Sequence, residues 1–269
     1  MREARSFGPG EFVMRLGSAV ALAVAGLLSC LAAPADADEI KVLTAGAFKP
    51  IVTAVAAEFE KSTGHKLVID NDTAGALLRR IGGGEAFDVA VLTPAAVKEL
   101  VGSGKIAAGT PVNLARTSVG VAVKAGAPRP DIATVAAFKT ALLEARKVAY
   151  IDPAAGGSSG IYFSKLLETM GIAEAVRAKA VLVPGGLVAQ RLVTGEADLA
   201  VHQISEILAV PGAVLVGPLP ADIQSYTVYT GGLAPSSADR AAPKAFLAFL
   251  KSDAARRILS EKGMENAPE

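Results

Sequence analysis

Between residues 40 and 103, short apolar runs alternate with apolar stripes at helical spacing. The runs at 40–43, 66–70 and 88–92 predict strands, because stretches this short and apolar suit a sheet covered on both faces. Ile51, Val55 and Phe59 recur on one helical face and predict a helix over 49–62, stopped at Thr63-Gly64. Further helices are predicted over 76–81, capped at its end by Gly82-Gly83-Gly84, and over 94–103. This β-α-β-α-β-α order with short connections predicts a parallel sheet with helices on both faces. Right-handed crossovers then bring the strand-to-helix turns to one edge of the sheet.

The pattern restarts further along. Strands are predicted at 118–123, 147–151, 179–183, 198–202 and 226–233. Helices are predicted at 161–170, 187–194 and 243–262, the last broken near Ser252-Asp253. No sequence repeat accompanies the second round. The economical α/β architecture is two lobes, each a mostly parallel sheet covered by helices, joined by strands crossing near 117–121 and 226–231. Lobe 1 then comprises 38–117 and 229–269, and lobe 2 (118–228) is an insertion in it.

Ahead of both lobes, Arg15 precedes an apolar run over 19–33 that ends in Ala35-Asp36-Ala37. A run this short with a small-x-small end predicts a secretory signal peptide over 1–37 and a periplasmic mature chain starting at Asp38. Leu27-Leu28-Ser29-Cys30 is a loose lipobox and leaves open a lipid anchor at Cys30; Met14 competes with Met1 as the start. No other stretch is long enough to span a bilayer.

Composition narrows the function. The chain has 269 residues, 51% of them hydrophobic, and a net charge of +1, so it has no basic field for nucleic acid or an anionic membrane. Cys30 is the only cysteine, which excludes a disulfide framework. Histidine occurs only at His65 and His202, and zincin, nucleophile-elbow and phosphate-loop motifs are all missing. The expectation is therefore a monomeric binding protein, not an enzyme, with no metal and no cofactor.

Backbone offers the alternative to side-chain chemistry. A helix N-terminus presents unpaired N–H groups and partial positive charge, which suits an anion. Thr73-Ala74-Gly75 precedes one predicted helix, and Gly156-Gly157-Ser158-Ser159-Gly160 precedes another with two hydroxyl donors. Both turns also read as ordinary helix caps, and it is their placement in facing lobes that favours a site. His202-Gln203, at a strand end, would point into the same cleft, and Lys49 could add charge or reach to solvent. His65, Arg79 and Arg80 read as surface residues.

Five segments resemble the molybdate-binding periplasmic proteins. They are 38–47, the turn before Leu77-Leu78-Arg79-Arg80-Ile81, 84–89, 152–162 and Gly195-Glu196-Ala197-Asp198-Leu199. Their order covers nearly all of the chain after residue 37. The resemblance implies a type II periplasmic-binding fold whose lobes close on a tetrahedral oxyanion for handover to an ABC permease in the inner membrane. It also implies ligand contacts at Ala47 and Ala74, where that family has serines, and at the amides of Ser159 and Leu187. His202, with Gln203, stands where the family has a tyrosine. Hydrogen bonds to a charged group are worth about 1.5–3 kcal/mol each, so two lost hydroxyls call for Thr44, Thr73 or Ser158 as substitutes. The expected ligand is molybdate, tungstate, another oxyanion or a small carboxylate. Two other roles stay open: a sensory binding module, and a secreted enzyme using Asp152 and His202 as an acid–base pair.

Overall fold

Ile40, Val42 and Leu43 are fully buried in β1 (Glu39–Ala45), which lies parallel to both β2 (Lys66–Asp72) and β3 (Val89–Leu92). The computed structural model describes residues 37–268. Apart from Ala37, the expected export signal and the Cys30 anchor lie outside those residues. Among the described residues, no helix is long and apolar enough to cross a membrane.

A short 3-10 turn, Gly46–Phe48, joins β1 to α1 (Lys49–Thr63), which buries Ile51, Val52, Val55 and Phe59. Thr73 caps α2 (Ala74–Gly82), and Thr93 caps α3 (Pro94–Gly102). The next strand, β4 (Val112–Lys124), belongs to both halves of one curled mixed sheet. α4 (Val135–Glu144), β5 (Val148–Ile151), α5 (Ser158–Thr169), α6 (Ala173–Arg177), β6 (Ala180–Val183) and α7 (Gln190–Val193) follow. Then come β7 (Leu199–Gln203), α8 (Ile204–Ile207), β8 (Ala213–Pro218), β9 (Tyr226–Leu233), α9 (Ala241–Phe249), α10 (Asp253–Glu261) and the two-residue β10 (Glu265–Asn266).

Over Val112–Ser118, β4 runs antiparallel to β9, and from Val119 onward it pairs with β7 and β8. β7, β5 and β6 are parallel. Alternation along the strands splits the second lobe's interior. Val121, Tyr150 and Val201 face Phe138 and Phe163, whereas Ala122, Ala149 and Ala200 face Val188 and Leu192. The alanines let the short α7 side pack close. In the first lobe, Phe59 of α1 meets Phe246 and Phe249 of α9 edge-on at 5.0 and 5.4 Å, so the chain's end completes the core its beginning starts.

Several expected boundaries shift. α2 and α5 begin at Ala74 and Ser158, not at 76 and 161, so Gly75, Ser158, Ser159 and Gly160 are helical first-turn residues, not turn residues. Gly160 has to be small because α5 presses there on the Ile151 carbonyl. β4 starts six residues earlier than the 118 expected, and α7 keeps only Gln190–Val193 of the helix expected over 187–194. α4, α6, α8 and β8 have no counterpart in the sequence expectation. The break expected near Ser252-Asp253 is real, with Ser252 capping α10.

Candidate functional site

The strand ends and helix starts of both lobes enclose a small cavity of about 30 Å³. The first lobe lines it with Ala45, Gly46 and Ala47 after β1, Asn71 and Asp72 of β2, and Thr73 and Ala74 at α2. The second contributes Ile151, the Gly157-Ser158-Ser159 start of α5, Gly186, His202, Gln203 and Glu206, with Tyr229 of β9 at the seam.

The two turns read as anion sites touch each other. Gly75 N donates to Gly156 O at 3.0 Å. Thr73 Oγ1 donates to Ala155 O while accepting from Ala76 N, so its hydroxyl is fully used. A Cβ on either glycine would lie 2.8 Å from the other's Cα, and Gly156 also has φ of 81°, which only glycine adopts freely. Thr73 and Gly75 thus hold the cleft shut and are not free donors. α5 still offers donors, since its N-cap is Gly157 and its first-turn amides at Ser158, Ser159 and Gly160 have no side-chain cap.

Side-chain chemistry gathers on the second lobe. Gln203 Nε2 donates to Thr227 Oγ1 at 2.8 Å and to Ser158 Oγ at 3.2 Å. His202 Nε2 lies 3.2 Å from Glu206 Oε2, with both side chains buried. Burial pushes the Glu206 carboxyl up to about 8 and the His202 imidazole down to about 3. At neutral pH the pair therefore carries no net charge: Glu206 holds its proton and His202 stays neutral. His202 Nδ1 and Gln203 Oε1 are buried without a hydrogen-bond partner. Burial also keeps the Tyr229 phenol protonated.

Of the residues singled out from sequence, Ala47, Thr73, Ala74, Ser158, Ser159, His202 and Gln203 line this cavity. Thr44 does not; it is fully buried, with its hydroxyl on Ala45 O. Gly75 and Gly160 serve contacts between elements, and Leu187 lines a neighbouring pocket with Lys49. Asp152 caps the 3-10 turn through Ala154 N, so the carboxyl beside His202 is that of Glu206. Arg80 is no solvated bystander, since it is ion-paired to Asp70, Asp72 and Glu85.

Glu206 is the cavity-lining acid that sequence reasoning missed. It stands four residues after His202, a spacing that stacks two side chains on one face once a helical turn follows a strand. Gly46 was missed for a different reason. A Cβ there would lie 2.6 Å from Glu206 Oε1, a contact across the cleft that no local pattern encodes.

A profile of the bacterial extracellular solute-binding proteins matches residues 40–265. A relative from Pseudomonas sp named aconitate isomerase is 35% identical over 235 residues, which is 85% of this chain and 88% of the relative. The molybdate-binding protein ModA of Azotobacter vinelandii is 26% identical over 266 residues, 96% of this chain and 98% of its own length. The solved periplasmic molybdate-binding protein of Azotobacter vinelandii matches with a TM-score of 0.72 at 22% identity, covering 86% of this chain and 100% of that one. The fold is accordingly the two-lobed type II periplasmic-binding fold. The expectation that the chain is not an enzyme is overturned, because a relative this similar over most of both chains carries an enzyme's name. The absence of long catalytic motifs was a weak ground for that expectation, since two residues brought together by the fold leave no such motif.

Proposed function

The chain belongs to the bacterial extracellular solute-binding protein family, and on that premise we propose that its cleft binds a small unsaturated polycarboxylate, aconitate being the concrete case, and interconverts the isomers by moving a proton. The observation that carries this reading is the buried His202–Glu206 pair, 3.2 Å apart, on the cavity wall. The similarity to an aconitate isomerase supplies the substrate class.

The chemistry suits the groups. A methylene flanked by a carboxylate and a double bond is acidic, because its carbanion is delocalised over the allyl system. One C–H bond breaks and its proton passes to the pair. The electron pair shifts along the allyl, and the pair returns a proton to the other terminus. The double bond has then moved, and rotation about the new single bond before the reverse transfer yields the other isomer. The ionised form of Glu206, within reach because the carboxyl sits at about 8, accepts the proton and returns it, so it ends as it began, while neutral His202 at 3.2 Å orients it. The uncapped amides of Ser158 and Ser159 stabilise negative charge spreading onto a carboxylate. The Gly75–Gly156 contact excludes water during the transfer. In this reading the lobes, 38–117 with 229–269 and 118–228, close as a monomer in the periplasm after export on the 1–37 signal.

The test is incubation of the purified protein with cis-aconitate in D2O, followed by proton NMR. The trans isomer is expected to form with solvent deuterium at carbon. Absence of both conversion and exchange overturns the proposal.

One observation favours a second reading, capture of a molybdate-like oxyanion for an ABC permease. The uncapped amides of α5 face a chamber lined by no lysine or arginine, as suits a neutral-donor oxyanion site. Ala47 and Ala74 offer only methyl groups where the resemblance implies serines. A melting experiment with molybdate and tungstate decides it, since a ligand at 100 times its Kd stabilises by about 2.7 kcal/mol.

A further inference from the structure

Beside the cavity around His202 and Glu206 lies a second, wider one of about 680 Å³, open to solvent. The two share Gly46, Asn71, Gly186 and Glu206, so the Glu206 carboxyl stands at the boundary between them. We propose that this outer cavity is a second carboxylate subsite, with Lys49 as its principal cation, which makes the cleft select polycarboxylates over monocarboxylates.

The proposal rests on the polycarboxylate reading above and on a charge mismatch between the chambers. The inner one has no lysine or arginine in its lining, and its ionised acid, Asp72, is already paired with Arg80. Its neutral amides suit a single carboxylate. A trianion brings further charges that this chamber cannot meet, and an unmatched carboxylate in a dry site is strongly disfavoured. The outer chamber has the missing complement. Lys49 and Lys262 both line it, and neither makes an ion pair among the described residues. Its acidic lining residue is Glu206, which burial holds protonated.

Both lobes build this chamber. Lys49 is the first residue of α1, whose N-terminus has no side-chain cap and adds partial positive charge. Opposite it stand Leu187 and Gln190 at α7. Next door, His202 Nδ1 and Gln203 Oε1 are buried without partners, two polar atoms that a ligand reaching inward from the outer chamber would satisfy. A tricarboxylate spanning the boundary has one carboxylate on the α5 amides, its reactive carbons beside Glu206, and another carboxylate at Lys49.

Calorimetric titration of the purified protein and its Lys49→Gln variant tests this. The probes are propane-1,2,3-tricarboxylate, which has no double bond to isomerise, and butanoate, with melting curves as a folding control. Lys49 is exposed, so the variant is expected to melt as the parent does. Tricarboxylate affinity is expected to fall about tenfold or more in the variant, with butanoate binding unchanged. Equal tricarboxylate affinity in the two proteins overturns the subsite and leaves the proton-transfer reading standing. Equal losses for both probes overturn the selection of polycarboxylates. Failure of the parent to bind either probe overturns the polycarboxylate reading, and the subsite with it.

Discussion

The two walls of the cleft are made of different material. On the first lobe the wall is mostly the small residues Ala45, Gly46, Ala47 and Ala74, and of its polar residues Asp72 is paired with Arg80 and Thr73 with Ala155 O, which leaves Asn71. On the second it is Ser158, Ser159, His202, Gln203 and Glu206, all capable of donating or accepting. The plain wall is what makes room for the reactive one, since Glu206 Oε1 occupies the space a Gly46 side chain would take. The proposed reaction then divides the labour: the second lobe would carry the chemistry, and the first would shape and shut the chamber.

The largest effect is expected on the reactive wall. Glu206→Gln keeps the shape and removes the titrating group, so aconitate turnover should fall by about 10²–10⁴-fold, while calorimetry finds propane-1,2,3-tricarboxylate still bound. Unchanged kcat would remove Glu206 from the mechanism. Next is the plain wall. Gly46→Ala adds one methyl group 2.6 Å from Glu206 Oε1 and displaces that carboxyl. Turnover is expected to drop by up to about 10²-fold with little change in KM, as misplacement by about 1 Å does. Equal kinetics would mean that the wall is not shaped around Glu206.

The smallest effect is on stability, and it has a sign on each side. Folded Glu206 keeps its proton to about pH 8, whereas the ordinary carboxyl value is 4.5. Between those values unfolding releases a proton, so rising pH favours unfolding. For His202 the ordinary value is 6.5 and the folded one about 3, so unfolding takes up a proton and falling pH favours it. The two cancel between 4.5 and 6.5, and the loss from 6.5 to 8 belongs to Glu206 alone. At about 1.4 kcal/mol per pH unit, that interval costs about 2 kcal/mol, or about 4–8 °C in Tm for a chain of this size. Glu206→Gln should remove this alkaline loss, and melts at pH 6.5 and 8 read the difference.

How much of this could be read from residues alone depended on whether the cause was local. The Ile51, Val55 and Phe59 stripe identified α1, because burial of one face is written at helical spacing. Strands such as β3, buried at every position, were visible as continuous apolar runs. β8 was not, because Ala213–Pro218 is only half-buried and ends in Gly-Pro, which reads as a turn. Gly75 and Gly160 were read as turn residues because glycine is a poor helix former. They are in helices because another element comes too close for a side chain. The cleft's location, with His202, Gln203 and Ser158 on it, followed from strand ends meeting at one edge. Its chemistry did not, because the His202–Glu206 pair depends on burial produced by the opposite lobe.

The stacking of Phe59 on Phe246 and Phe249 has a consequence for how the protein comes into being. The first helix made cannot complete its core until the last aromatic residues are synthesised, with the whole second lobe in between. At about 5–20 residues per second, that delay is on the order of ten seconds. Through that interval the first lobe lacks the two aromatic rings that close its core over Phe59, and only the arrival of its tail supplies them.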